Sequence, residues 1–585
     1  MRGPASVRSG SADGHGVNQV QERPWRLYVI GALLGAFAFV VVGKLAYIQV
    51  LQHGYYRTLA SEEHWRASEI APPRGALLAA DGAPLAVSVG FETVYADASR
   101  LGDKAAVASK LAPVLGETEE AIAARLEEGG ERPVVLRRHL PAETADRVKG
   151  LRLLNVYLEV EPLRLHPEGG LASQLIGFVG ADHKGLAGLE RSLEKTIGGL
   201  PGSLQREVDA AESEIALGLR EYRPPVRGAD VVTTIDRFAQ MLIERELDAA
   251  MERHAADAGT IVVLEPRTGA VLAMASRPSF RLDDPDLFEA GKESLYRCPA
   301  VSDLYEPGSV FKVVTMAAGL DAGAIAPDEV YYDAGYYADG EVVIRNWDGQ
   351  GRGWQTMAQI LQRSLNTGSS YIAKKLGPAR FYEYVRAFGF GEPTGIDLPG
   401  EASGLVRTNA GSGWSGSDLL TNSFGQGIGV TPLQMARAVA AVANEGRLMK
   451  PQLVREVRSP TATRQVEPEV VRQVVRPETA RTVTAMMVNA VEESVVGLAK
   501  VDGYRVAGKS GTAEMLVDGR YSRDDTVASF VGFAPAEDPR FLVLVAITRP
   551  KDNIWGEAVA APIFSTIMRE LLSHAGIGPT LVAAR

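Results

Sequence analysis

A single cysteine, Cys298, is all that the 585 residues contain, so neither an internal disulfide nor a cysteine-cluster metal site can form. The eight histidines are scattered and include no His-x-x-x-His pair, which removes the common zinc-hydrolase signature; no metal and no cofactor is expected. Basic charge is short as well. Against 62 Lys and Arg stand 72 Asp and Glu, a net charge of -10, which argues against a general grip on nucleic-acid backbones. No repeat of fixed period occurs, and low complexity is confined to the polar, Gly- and Ser-rich residues 1–26. What is present is core material: 46% hydrophobic and 23% charged residues describe a folded chain, long enough for several domains.

Only one hydrophobic run is long. From Leu27 to Gly43 there is no charge, and after Lys44 the apolar character resumes through Leu51. About 20 helical residues at ~1.5 Å each cross a bilayer's hydrocarbon core, so residues 27–51 are expected to be one transmembrane helix, with Lys44 snorkelling to the interface. The cleavage-like Ala36-Phe37-Ala38 lies mid-run, where a signal peptide is not cut. Arg23 and Arg26 favour a cytoplasmic tail, 1–26, with the rest of the chain outside the membrane. Residues 52–225 read as an α+β pedestal that includes a helix over Thr118–Glu128. Leu219–Asp230, with Pro224-Pro225, reads as a linker, and 226–585 as a larger α/β domain. In that domain Thr260–Glu265 and Ala270–Ala275 are expected as a hairpin, Thr526–Phe533 and Phe541–Thr548 as strands, and Pro562–Ser573 as the closing helix.

Three short motifs carry chemistry. In Glu306-Pro307-Gly308-Ser309-Val310-Phe311-Lys312 the Pro-Gly pair precedes an apolar helical run, so Ser309 falls in a first helical turn. Spacing of three puts the Lys312 amine beside the Ser309 hydroxyl, a nucleophile with a base, and leaves the Ser309 N–H free to hold an oxyanion. A plain helix cap explains the same residues. Ser192-Leu193-Glu194-Lys195 matches Ser-x-x-Lys too, but has no helix-start signal and reads as a solvated helix face. Ser364-Leu365-Asn366 joins the amphipathic stretch Met357–Arg363 to a helix beginning near Thr367, where a hydroxyl could pass a proton and an amide orient a peptide. In isolation, a helix cap in a loop explains that tripeptide better than function does.

Lys509-Ser510-Gly511-Thr512 lies in a β-prone stretch, where a fixed cation and two hydroxyls suit a carboxylate and Gly511 would let substrate backbone approach. Gly503-x-x-x-x-Gly508-Lys509-Ser510 also satisfies the phosphate-loop pattern, the mark of a nucleotide enzyme. The bulky Tyr504-Arg505-Val506-Ala507 and a glycine where a helix should open argue against it.

Taken in order, Ser309-x-x-Lys312, Ser364-x-Asn366 and Lys509-Ser510-Gly511 resemble the motif set of penicillin-recognising serine acyl-transferases. Phe388-Gly389-Phe390-Gly391, Gly425-Gln426-Gly427 with Thr431-Pro432, and upstream Pro73-Arg74-Gly75 and Gly188-Leu189-Glu190 narrow the resemblance to class B penicillin-binding proteins. Ser510 stands where threonine is commoner. The resemblance implies a penicillin-binding transpeptidase fold on an extended pedestal, anchored by one helix in the bacterial cytoplasmic membrane with its catalytic domain outside. It implies a D,D-transpeptidase acting on peptidoglycan stem peptides and trapped by β-lactams. Ser309 would be the nucleophile, Lys312 the base and Ser364 a proton relay. Asn366, Lys509, Ser510, Gly511 and Thr512 would bind substrate, and the backbone N–H groups of Ser309 and Thr512 would form the oxyanion hole.

The segment resembling the pedestal shows no glycosyltransferase motif, so a glycan polymerase of the SEDS type is expected as partner, with other divisome proteins. Gly185–Gly202 and Glu306–Lys312 look closer to the septal than to the elongation subgroup, and no appended repeats follow the last helix, which leans away from some sporulation forms. A β-lactamase, a carboxypeptidase, a membrane β-lactam sensor and a non-enzymatic scaffold are the alternatives.

Overall fold

A computed structural model describes residues 25–57, 65–130, 133–208, 220–284, 286–288, 290–411, 413–494 and 496–579. Most of the expected tail, residues 1–24, lies outside them. The chain divides into two compact units, one made of the residues up to Ile70 with Ser203–Pro224, the other of Ala71–Gly202 with Pro225 onward.

In the first unit helix α1 (Trp25–Ala46) continues through a π-helical turn to Leu51 and buries none of its side chains against protein. It is the one helix among the described residues long and apolar enough to cross a membrane. It opens two residues before the expected span. Strands Trp65–Ile70, Gly202–Glu207 and Arg220–Arg223 form a three-stranded sheet with Gly202–Glu207 in the middle. The expected linker thus contains a strand, and the division between the units falls inside it, at Pro224-Pro225.

The second unit is built on an antiparallel sheet of β1 (Ala258–Leu264), β2 (Val271–Arg277), β3 (Ala507–Val517), β4 (Arg520–Ala534) and β5 (Phe541–Thr548), in the order β2-β1-β5-β4-β3. Its helices include α2 (Arg237–Arg253), α3 (Lys312–Asp321), α4 (Met357–Gln362), α5 (Asn366–Leu376), α6 (Pro432–Ala443), α7 (Pro477–Glu492) and α8 (Gly556–His574). Side chains of a strand alternate between faces, and in β5 Leu542, Leu544 and Ala546 enter one core while Val543, Val545 and Ile547 enter another. The first core contains Val313 of α3 and Leu433 of α6; the second contains Ile243 of α2 and Phe564 of α8. A sheet covered on both faces has no polar phase, which is why residues 261–264 of β1 and 541–547 of β5 read as unbroken apolar runs. Each fully buried Val or Leu contributes roughly 1.5–3 kcal/mol of transfer free energy.

Strands β1 and β2 form the expected hairpin, closed by Glu265 N donating to Ala270 O (2.9 Å), with Gly269 at φ +76. Thr118 caps the expected helix by accepting from Ala121 N. Thr431-Pro432 is a helix start: Thr431 and Gln434 make a reciprocal capping box and proline takes the first turn. The closing helix departs from expectation. It begins at Gly556, six residues before Pro562, which sits inside it. Proline favours a first turn, so it marks the wrong place here; the true start is set where Gly556 packs so closely on β3 that an added Cβ would lie 2.1 Å from Gly511 O.

The remainder of the second unit joins the larger domain through a shared sheet: Leu77–Leu78 pairs in parallel with Asp230–Thr233, and Pro84–Ala96 continues it outward to Val134–Leu140 and Val156–Leu165. Beneath it Arg74 and Arg164 converge on Glu190, whose side chain is wholly buried.

Candidate active site

Ser309 lies in a short 3-10 turn, Gly308–Phe311, that runs directly into α3. Two glycines hold that turn. Gly308 donates its N–H to Gly425 O (3.0 Å), and a Cβ on Gly425 would stand 2.2 Å from Gly308 O, so the two backbones meet where no side chain fits. Lys312, three residues on, is 2% exposed. Its amine makes three hydrogen bonds: to Ser364 O (2.6 Å), to Asn366 Oδ1 (2.7 Å) and to Ser364 Oγ (3.2 Å). The spacing argument placed this amine against Ser309. All three bonds run to the second motif, because the joint between α4 and α5 folds over the start of α3.

That joint needs unusual backbone. Ser364 adopts φ +55, a left-handed conformation that costs a non-glycine residue on the order of 1–3 kcal/mol and is kept where surroundings over-determine it. Its carbonyl is held by Lys312, and Leu365 N donates to Ile360 O (3.0 Å). Asn366, the first residue of α5, uses both ends of its amide: Oδ1 accepts from Lys312, and Nδ2 donates to Arg345 O (3.1 Å).

The third motif is on β3, an edge strand of the sheet. Lys509 is 3% exposed, donates to Ser510 O (2.8 Å), and burial pushes its amine down to about 8 against the opposing pull of Glu557. The Lys312 amine is held well below the ordinary lysine value, first by burial and then by the nearby positive Lys509. Thr512 Oγ1 accepts from Gly556 N (3.0 Å), which leaves the hydroxyl proton free to be donated. A Cβ on Gly511 would meet Ser529 Oγ at 2.7 Å and Pro307 O at 3.1 Å, so the missing side chain also lets β3 close on the Ser309 turn.

Ser309, Ser364, Asn366, Lys509, Ser510, Gly511 and Thr512 all line one cleft of about 1180 Å³, and Lys312 is bonded to its wall. The same cleft is lined by Trp347 and Trp555, stacked edge to face at 5.0 Å, and by Arg345 and Arg352, none of which the motifs announce. A tryptophan in a loop has no local signal; only the fold brings residues 347 and 555 together. The two false motifs separate cleanly. Lys509 and Ser510 lie mid-strand, with no helix opening after Gly508. Ser192 ends a short helix and Lys195 is exposed, yet the segment is less solvated than expected, since Glu194 binds the buried Arg74 (2.8 Å).

A family model of the penicillin binding protein transpeptidase domain matches residues 259–569, and one of the penicillin-binding protein dimerisation domain matches residues 69–233. The chain is 34% identical over 572 residues to the stage V sporulation protein D of Bacillus subtilis, covering 96% of this chain and 88% of that protein. It is 30% identical over 575 residues to the peptidoglycan D,D-transpeptidase FtsI of Escherichia coli, covering 95% of this chain and 92% of that protein. Among solved structures, penicillin binding protein 2X of Streptococcus thermophilus gives a TM-score of 0.75 at 25% identity, over 87% of this chain and 81% of that one. A peptidoglycan synthetase from Bifidobacterium adolescentis gives 0.72 at 26% identity, over 89% and 98%.

Proposed function

The chain belongs to the class B penicillin-binding proteins, and we propose that it is a peptidoglycan D,D-transpeptidase whose acyl-enzyme forms on Ser309. The observation that carries the residue assignment is the buried Lys312 amine, bonded to Ser364 and Asn366 at the wall of the cleft that Ser309 lines. Ser364 O and Asn366 Oδ1 can only accept, so they take two N–H groups and suit a neutral amine. The longer contact, to Ser364 Oγ at 3.2 Å, can then reverse, with the hydroxyl donating to the lone pair.

With that single lone pair turned from Ser364 to Ser309, Lys312 would take the Ser309 proton as Oγ attacks the carbonyl between two terminal D-alanines. The negative oxygen would rest on the N–H groups of Ser309 and Thr512. Ser364 would carry the proton onward to the departing amine, and the last D-alanine would leave. An amine of a second stem would then attack the acyl-enzyme, giving the cross-link and freeing Ser309. Lys509, Ser510 and Thr512 would hold the donor's terminal carboxylate, and Asn366 its backbone. A β-lactam would stop at the acyl-enzyme, since its opened ring stays attached and no product departs.

Helix α1 would anchor the protein as a single-pass component of the bacterial cytoplasmic membrane, residues 1–26 inside and the pedestal, 52–225, and transpeptidase domain, 226–585, outside. Polymerisation of the glycan would fall to a partner of the SEDS type. Septal synthesis during division is the favoured setting, supported by similarity to the Escherichia coli enzyme. A sporulation role is the second reading, favoured by the Bacillus subtilis relative, and the expectation that leaned away from it gains no support from that similarity.

The test is intact-mass detection of a penicillin adduct on the purified protein, followed by mapping of the modified peptide. Ser309 should carry a stable adduct and Ser309→Ala none. An adduct elsewhere overturns the nucleophile, and turnover of the adduct within seconds would make the protein a β-lactamase.

A further inference from the structure

Beside the cleft lies a buried carboxylate that the mechanism above does not use. Asp333 ends the short strand Val330–Asp333 at a buried position and is 1% exposed. It accepts five hydrogen bonds, all from uncharged donors: Gly335 N (3.0 Å), Arg352 N (3.0 Å), Thr367 Oγ1 (2.8 Å) and Asn346 Nδ2, which reaches both its oxygens (3.0 and 2.9 Å). Asn346 Oδ1 in turn accepts from Thr367 N (3.4 Å) and lies 3.2 Å from Thr367 Oγ1, whose single proton goes to the nearer Asp333. Both Asn346 and Thr367 are buried.

Asn346 lines the cleft and Thr367 is one residue from it. Thr367 follows Asn366 in the first turn of α5, and Asn346 follows Arg345, whose carbonyl holds Asn366 Nδ2. The carboxylate therefore clamps two chain segments together, and the link between the segments at the cleft is the Asn366 amide. With Nδ2 fixed on Arg345 O, Oδ1 must face Lys312, where it accepts at 2.7 Å. A carboxylate suits the centre of such a clamp because it is acceptor-only and can take all five bonds; an amide in its place would present two N–H groups to donors.

We propose that Asp333, acting through Asn346 and Thr367, is a positioning residue of the transpeptidase site, which sets the orientation of the Asn366 amide and so aims Lys312. The inference rests on the acyl-enzyme chemistry proposed above. The clamp is a matter of geometry at the reacting centre, so its loss should slow the chemical step with little change in noncovalent binding. A misplacement of ~1 Å at such a centre costs about 10²-fold in rate.

The experiment measures Ser309 acylation by a labelled penicillin as a saturating rate and a half-saturation concentration, on the full chain, with thermal unfolding recorded for each variant. Asp333→Asn should lower the saturating rate about 10²-fold and leave half-saturation within about twofold. Thr367→Val removes one donor to the clamp without changing shape, and should lower the rate about 10-fold, the equivalent of one buried hydrogen bond; Thr367→Ser should restore it. If Asp333→Asn does not fold, the Thr367 pair decides. Folded Asp333→Asn or Thr367→Val protein that acylates at the parent rate overturns the proposal, as does a loss of thermal stability with normal acylation of the folded fraction. No labelling of the parent would overturn the acyl-enzyme reading, and the inference with it.

Discussion

Two regions of the second unit bury positive charge, and they do it in opposite ways. Under the pedestal sheet, Arg74 meets Glu190 and Glu194, both at 2.8 Å, and His183 O at 2.7 Å; Arg164 meets Glu190 at 2.6 Å and Gly75 O at 2.8 Å. Every cation there has a carboxylate. In the cleft, Lys312 and Lys509 are equally buried, yet the oxygens they touch belong to carbonyls, an amide and a hydroxyl. Saturated charge is inert and holds segments that are distant in sequence together. Charge with no carboxylate in hydrogen-bond contact keeps a high free energy, and the amine gives its proton up at a pH where an ordinary lysine would not. The same residue chemistry thus serves architecture in one place and, on the function proposed here, catalysis in the other.

Removing one member from each region should break the comparison most sharply. Lys312→Met is expected to cut penicillin acylation by about 10⁴-fold, the scale on which loss of a base from a serine nucleophile acts. Its unfolding temperature should hold or rise, since an unpaired buried cation is replaced by an apolar side chain of similar length. Glu190→Gln should do the reverse. It strips a carboxylate from between two buried guanidinium groups and should cost about 3–5 kcal/mol of stability, while the protein that remains folded acylates at the parent rate. Denaturant unfolding beside labelling kinetics checks both, and a stable Glu190→Gln protein would mean that the pedestal triad is not architectural.

The next largest effect is in pH. Acylation should rise with pH as Lys312 loses its proton, with a midpoint well below the ordinary lysine value of ~10.4, because burial and Lys509 both disfavour its charge. For a substrate with a carboxylate the rate should fall again above about 8, where Lys509 becomes neutral. Lys509→Arg stays charged throughout and should abolish the alkaline fall. The stability sign follows from the same value. Between about 8 and ~10.4 the unfolded chain binds more protons at this position than the folded one, so Lys509 makes folding more favourable as pH rises through that window. A pH–rate curve that keeps its alkaline fall in Lys509→Arg would show that another group sets it.

Much of this was legible in the sequence, and what was not has a physical reason. The strands β1 and β5 announce themselves by apolar runs, and α6 by a capping box with proline. The three motifs name the residues that line the cleft. The direction of the Lys312 amine was not legible, because helical spacing describes only neighbours along one helix and the partner joint arrives from 52 residues away. Asp333 gives a faint local signal, a carboxylate in the buried phase of an alternating strand, but its partners are 13 and 34 residues distant. Pro562 misled because proline marks a helix start only when no tertiary contact fixes an earlier one.

The smallest expected effect concerns the pattern that both regions share. Ser192-x-x-Lys195 has the same two residue types at the same spacing as Ser309-x-x-Lys312, so it isolates what the surroundings contribute. Here the serine Oγ donates to Asp397 O (2.6 Å), the lysine is exposed, and the intervening Glu194 is committed to Arg74. A hydroxyl tied to a carbonyl, with its neighbouring amine out in solvent, has nothing to attack. Lys195→Met should therefore change stability by no more than about 0.5 kcal/mol, and Ser192→Ala by about 1 kcal/mol for one lost hydrogen bond. Neither should alter labelling of Ser309. A tenfold loss of labelling in folded Ser192→Ala protein would mean that contact with Asp397 reaches the cleft, and that the two ways of holding charge are coupled across the unit.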